Sequence, residues 1–198
     1  EFPGNRVVED PIGFIDLAPT ILEVTNTSSK GMLPITGKSI LDLLKSEASG
    51  VLSITNRTAY SGRERHSSSR YLNWGYPQRS LRKGDFLFIW NMKHDRWPAG
   101  APQKYSENDS LQLLPLFGLD KNNTYINGSA YTDIDDCPTK AYLIENHEDD
   151  SILPYFDLAV DKRPEYELYN VPQDPSCLKN LSGTTSFKKI EASLKTEL

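Results

Sequence analysis

The sequence predicts an α+β chain, on three observations. Two short helical patterns come early, Phe14 to Leu22 and Ser39 to Leu44. Two β-prone runs, Arg79 to Arg82 and Phe86 to Trp90, then flank a Lys83-Gly84-Asp85 turn. The tail from Phe187 to Leu198 is helical in composition again. Strands gathered together, with helices before and after them, read as a small antiparallel sheet packed with helices.

Each element has its own local reason. Glu1 to Asp10 reads as a connector that leads at once into packed structure. In Phe14-Ile15-Asp16-Leu17-Ala18-Pro19-Thr20-Ile21-Leu22, Asp16 can cap a helix and Pro19 falls in its first turn, where a missing N–H does no harm. Leu17, Ile21 and Leu22 then share a face that needs a partner. Ser39 caps the second helix, Asp42 lies in its first turn, and Gly50 stands beyond its end. From Thr58 the character changes, and Thr58-Ala59-Tyr60-Ser61 is a short strand. Phe86 to Trp90 has no polar alternation and is expected to be covered on both faces. Pro98 to Ser110 and Lys121 to Tyr131 read as loops. Asp136 is expected to cap a helix begun by Pro138 and carried by Ala141, Leu143 and Ile144. Glu167 to Asn170 reads as the last strand, closed by the turn Pro172-Gln173-Asp174-Pro175.

Composition bounds the function. The chain has 198 residues, 37% of them hydrophobic and 25% charged, which suits an ordinary globular protein of one or two domains. A net charge of −5 and the lack of a basic stripe argue against nucleic acid or an anionic membrane as the main partner. No apolar run approaches the ~20 residues that cross a bilayer. Cys137 and Cys177 are too few for a zinc site; a disulfide in an oxidising compartment and two buried thiols are both open. Sequons begin at Asn26, Asn56, Asn108, Asn122, Asn127 and Asn180, and they hint at surface loops.

The candidate site is Ser61-Gly62-Arg63-Glu64-Arg65-His66, followed by Arg79 in Tyr76-Pro77-Gln78-Arg79-Ser80. These are dense cationic clusters on an acidic chain. Guanidinium forks and an imidazole match sulfate, phosphate or carboxylate oxygens. The competing reading is a solvated strand end with surface ion pairs. Asp133, Asp135 and Asp136 form an acidic knot open to a cation, to sugar hydroxyls or to helix capping. His94 and His147 read as surface histidines, and Trp74 and Trp97 as packing residues that could instead stack on a sugar ring.

Several of these stretches resemble one family. Phe14 to Leu22, then Gly37-Lys38-Ser39-Ile40, then Gly62-Arg63-Glu64-Arg65-His66 resemble, in that order, the C-terminal third of sulfatases of the alkaline phosphatase superfamily. Tyr76 to Ser80, Phe88-Ile89-Trp90-Asn91, Arg163 to Asn170, Asp174-Pro175 and Asn180-Leu181 look most like the heparan N-sulfatase (N-sulfoglucosamine sulfohydrolase) branch. The resemblance spans residues 7 to 182. It implies that residues 1–66 are the C-terminal end of a large α/β domain and residues 67–198 a small C-terminal α+β subdomain.

Sulfatases of this kind use a formylglycine, made from the Cys or Ser of a Cys/Ser-x-Pro-x-Arg motif, and a calcium ion held mainly by aspartates. Neither motif is present in this sequence, and Cys137-Pro138-Thr139-Lys140 has the wrong spacing. The resemblance therefore implies a C-terminal portion without nucleophile or metal cage, inactive alone and completed by a missing N-terminal catalytic domain. Arg63, Glu64, Arg65, His66 and Arg79 would face a sulfated sugar substrate, with Glu64 orienting an arginine or meeting sugar hydroxyls. His66 is the side chain in the cluster able to hand a proton to a leaving group. The family setting implies a periplasmic, lysosomal or extracellular location. Without its partner domain, the Phe14, Leu17, Ile21 and Leu22 face would be exposed or self-associated. A non-catalytic module binding sulfated carbohydrate, and part of a related phosphodiesterase, are the other two readings.

Overall fold

The structure is a computed structural model that describes residues 2–53 and 57–198. The sequon residue Asn56 lies outside the described residues. The chain is α+β: among the described residues, five α-helices accompany one four-stranded sheet of order β1-β2-β3-β4. The strands are β1 (Thr58–Arg63), β2 (Gln78–Lys83), β3 (Phe86–Asn91) and β4 (Tyr166–Asn170). None of the described helices is long and apolar enough to cross a membrane.

Two compact units divide the chain, and the backbone passes repeatedly between them. Unit 1 is Glu1–Ser61, Arg79–Ile89 and Glu167–Leu198; unit 2 is Gly62–Gln78 and Trp90–Tyr166. This division by compactness is a separate matter from the expected boundary at residue 66, which concerns the domains of a larger protein.

Unit 1 carries most of the sheet. Gly84, at φ 51°, makes the turn between β2 and β3, as expected for a glycine in a two-residue hairpin loop. The Ser61 and Ser80 hydroxyls meet at 2.7 Å across β1 and β2. Leu81, Phe88 and Leu168 are all fully buried on neighbouring strands. α5 (Lys188–Glu197) adds Leu194 to that core, with Phe187 edge-on to Phe86 at 6.0 Å. Its end is tied down by Glu197, which accepts bonds from Lys83 Nζ at 2.5 Å and Thr58 Oγ1 at 2.7 Å. No residue of β3 is exposed, as expected of a strand covered on both faces, although its last residue, Asn91, is buried and polar.

The N-terminal part of unit 1 is organised around Asp16. This residue precedes α1 (Leu17–Val24), yet its carboxylate does not cap that helix. It accepts instead from Gly13 N at 3.1 Å and Lys38 N at 2.8 Å, and pairs with Arg57 Nη2 at 3.3 Å. Thr20 continues the link, donating to Asp16 O and accepting from Ile40 N at 3.0 Å. A Cβ at Gly37 would lie 2.0 Å from Ile15 O, so only glycine permits this approach. The second helix, α2 (Leu41–Lys45), has Ile40 rather than the expected Ser39 at its cap position, and Ser39 Oγ instead accepts from Leu41 N two residues on, just before the first turn. The Phe14, Leu17 and Ile21 side chains stand exposed and Leu22 is half-buried, as expected of a face without a partner.

Unit 2 is built on α3 (Pro138–Glu145) and α4 (Leu153–Val160). Ala99, Tyr125, Ala130, Tyr131, Ile144, Phe156 and Val160 form its core. Phe117 stacks on Tyr131 at 6.3 Å and meets Phe156 edge-on at 5.7 Å. Burial, with Asp161 and Asp157 nearby, pushes the Tyr131 hydroxyl far above its ordinary pKa. The sequence reading overlooks α4, because Pro154 interrupts its apolar run; at the first turn the proline is tolerated. It also misplaces a cap. Cys137, not Asp136, precedes α3, and the Asp136 carboxylate turns to Lys140 Nζ at 2.8 Å and the Tyr125 hydroxyl at 3.0 Å.

Two further expectations change. His147 is half-buried rather than freely exposed: its ring meets Phe117 edge-on at 4.7 Å, and Nδ1 lies 2.8 Å from Ile144 O. Both cysteines are free thiols, and Cys137 is exposed rather than buried.

Candidate functional site

Gly62 and Arg63 extend β1 two residues beyond the predicted strand, and the chain then leaves the sheet as a loop carrying Glu64, Arg65 and His66. All four side chains from Arg63 to His66 are exposed. Three separate devices shape this stretch.

The first is a line of side-chain hydrogen bonds across the ends of β1, β2 and β3. Arg63 Nε donates to Gln78 Oε1 at 3.0 Å, Gln78 Nε2 to Asn91 Oδ1 at 2.6 Å, and Asn91 Nδ2 to Pro164 O at 2.7 Å. Residues directly opposite each other on antiparallel strands share a face, so successive amides can link up. The buried Asn91 anchors the line, and Arg63 ends it in solvent. A side chain ordered in this way loses less entropy when it meets an anion.

The second device is close backbone contact. A Cβ at Gly75 would lie 2.3 Å from Glu64 O, so the two arms of the loop approach as only glycine allows. Arg65 Nη1 bridges the same arms through Asn73 O at 3.4 Å.

The third is a buried hub at Asp133. Its carboxylate accepts from Arg70 Nε at 2.7 Å and from the hydroxyls of Ser67 at 3.0 Å and Ser69 at 3.3 Å. Arg70 also donates to the carbonyls of Trp97 and Pro98, and its guanidinium lies 5.7 Å from the Tyr76 ring centre. His66 Nδ1 stands 4.0 Å from Asp133 Oδ1, at the edge of the hub. Sequence reasoning did not single out Ser67, Ser69 or Arg70; the run Ser67-Ser68-Ser69-Arg70 after the cationic motif was the available signal.

These ties set Arg63 at the end of β1 and Glu64, Arg65 and His66 on the loop that follows it, all in unit 2, while Arg79 is half-buried on β2 and belongs to unit 1. The acidic knot disperses, with Asp133 given to Arg70 and Asp136 to Lys140. Burial raises the Asp136 carboxyl, but the Lys140 ammonium and the Tyr125 hydroxyl outweigh it and hold the pKa below its ordinary value. Among the described residues, no group of three or more His, Cys, Asp or Glu side chains is placed to hold a metal ion.

No protein-family model matches the chain, and no curated protein does. One similar solved structure is that of BT4656 in complex with its substrate D-glucosamine-2-N,6-O-disulfate. The alignment has a TM-score of 0.46 and 15% identity, and it covers 92% of this chain but 22% of that one. The chain thus spans under a quarter of that protein's length, and a likeness this low assigns it neither activity nor site residues.

Proposed function

We propose that this chain is the C-terminal portion of a sulfatase, most like the heparan N-sulfatase branch, and that it contributes one wall of the pocket that binds a sulfated sugar. The carrying observation is the ordered, solvent-facing loop Arg63 to His66, whose Arg63 is oriented by the Gln78–Asn91 line. Exposed guanidinium groups held in place favour a tetrahedral oxyanion, because bidentate donors match its oxygen spacing. The sequence resemblance places the same residues in the sulfatase order.

On this reading, Arg63 and Arg65 hold the sulfate or a neighbouring acidic group, Glu64 meets sugar hydroxyls, and His66 faces the leaving group beside Asp133. Arg79 is kept as a candidate substrate contact. Formylglycine chemistry and calcium would be supplied by the remaining part of such a sulfatase. The periplasmic, lysosomal or extracellular setting is part of the same proposal.

The test is sulfate release from N-sulfated and O-sulfated glucosaminides, comparing this chain with the full-length gene product. Release by the full-length protein only, reduced by Arg63→Ala and Arg65→Ala, supports the proposal. No release by either protein, with salt-sensitive binding of sulfated sugar by the chain alone, favours a non-catalytic binding module. Cleavage of phosphodiesters instead moves the chain to the phosphodiesterase reading.

A further inference from the structure

Beyond the cationic loop, unit 2 contains a cleft of about 500 Å³ between residues 69–74 and 95–107. Its rim is aromatic, and the rings are turned to solvent: Tyr71 is 59% exposed, Trp74 48% and Tyr105 44%. Tyr71 meets Trp74 edge-on at 5.9 Å and lies 6.2 Å from Tyr105. Rings of this size are usually buried, so three of them gathered at one opening mark a contact surface.

The indole is braced. Arg96 lies 4.7 Å from the Trp74 ring centre and is itself fixed by donating to Gly75 O at 2.8 Å. Leu72 and Asn73, at φ 49° and 57°, are consecutive left-handed residues that set the position of Trp74. Such backbone is unfavourable for leucine and is retained where the surroundings impose it.

The charges of the cleft narrow the ligand. Arg70 is occupied by Asp133 and two carbonyls, Arg96 by Trp74 and Gly75, and Lys104 by Glu107 at 3.2 Å. Against these three cations stand the carboxylates of Asp133, Glu107 and Asp95, so the cleft carries no cationic excess to favour an anion. Asp95 and Glu107 are exposed carboxylates at the lining, suited to accepting hydroxyl hydrogen bonds.

We propose that this cleft binds a neutral pyranose ring, with its apolar C–H face on Trp74 and Tyr105 and its hydroxyls on Asp95 and Glu107. Arg65 Nη1, at 3.4 Å from Asn73 O, joins the cationic loop to the Trp74 turn. That the neutral ring and a sulfated one belong to a single oligosaccharide rests on the proposed function; the stacking site stands on the cleft alone.

The experiment follows the Trp74 indole N–H by ¹H–¹⁵N NMR of the 198-residue chain, the signal assigned with Trp74→Phe. The probes are N,N′-diacetylchitobiose (chitobiose below), which is uncharged, a heparin-derived disaccharide and inorganic sulfate, each at about 50 and about 500 mM NaCl. Chitobiose is expected to shift the signal with a dissociation constant on the order of 1 mM, equally at both salt levels. Trp74→Ala or Tyr105→Ala should weaken chitobiose binding about three- to tenfold, read for Trp74→Ala on Tyr105 signals, while Arg63→Ala leaves it unchanged. No Trp74 shift with either sugar overturns the assignment, as does a shift produced only by the sulfated disaccharide and abolished by salt. Equal affinity for both disaccharides, with a Trp74 shift, supports the cleft while removing the sulfate-binding reading of Arg63 and Arg65.

Discussion

Arg70 and Asp133 meet at 2.7 Å with side chains only 6% and 4% exposed. The pair joins the segment after the cationic motif to a distant loop, and every bond it makes is internal to unit 2. A buried pair of this kind resists loss of one partner far more than loss of both, since a lone charge is left without solvent or counterion. Asp133→Ala is therefore expected to destabilise the chain by about 3–5 kcal/mol in urea unfolding, and Arg70→Met/Asp133→Leu by clearly less. Equal losses for the single and double variants would refute the pairing.

The Gln78 bridge makes a separable prediction. Gln78→Leu removes the acceptor of Arg63 Nε and the donor to the buried Asn91. Stability should fall by about 1–3 kcal/mol, and affinity for a heparin-derived disaccharide should fall with it. Arg63→Ala should lower the affinity and its salt dependence while leaving stability within about 0.5 kcal/mol, as an exposed side chain. Calorimetric titration at two salt concentrations distinguishes the two variants.

Four carboxylates in unit 1 contribute to its acid limit, Glu197 through its bonds from Lys83 and Thr58 and three others through backbone N–H groups. Burial raises the pKa of Asp16, Asp10 and Glu191, but backbone N–H bonds from Lys38 and Gly13, from Leu52 and Ser53, and from Gly183, respectively, prevail and lower all three. The folded chain thus binds these protons less readily than the unfolded chain does. Stability is fully present above the ordinary carboxylate range, about pH 4, and is lost as pH falls through it towards the depressed folded values. Asp16→Asn should lower stability at pH 7 and flatten this acid decline, as measured by urea midpoints across pH.

The sheet core depends on a single row. Leu81→Ala, at a fully buried position beside Phe88 and Leu168, should cost about 2–5 kcal/mol and lower the urea midpoint with little change in slope. A loss under about 1 kcal/mol would mean that the row is not packed as described.

Phe14 is 91% exposed and Ile21 61%. Apolar side chains left open on α1 and on the turn just before it favour association. Sedimentation velocity of the chain should show a concentration-dependent shift that Ile21→Glu removes without altering the circular dichroism. A monomer at all concentrations would show that the face stays solvated.

Local chemistry carried much of the fold. The Gly84 turn, the strand at Glu167 to Asn170, the proline-started helix at Pro138 and the C-terminal helix depend on neighbours within a few residues, and such signals survive in a bare sequence. The cationic motif was equally legible, because residue type alone shows where anion-matching donors are concentrated. The errors arose where a side chain had a nearby role and a distant one. Asp16 and Asp136 look like helix caps, but each finds stronger partners elsewhere, Asp16 at Lys38 and Arg57 and Asp136 at Lys140 and Tyr125. His147 looks like a loop residue until Phe117 and Phe156 are folded against it. By itself, then, the sequence determined the α+β class, most element positions and the place of the cationic loop, all consequences of short-range propensity and residue chemistry. Tertiary structure alone decided which carboxylate meets which cation, which rings stay open to solvent and how Arg63 is aimed, because those contacts join residues far apart in the chain and exist only once burial has brought them together.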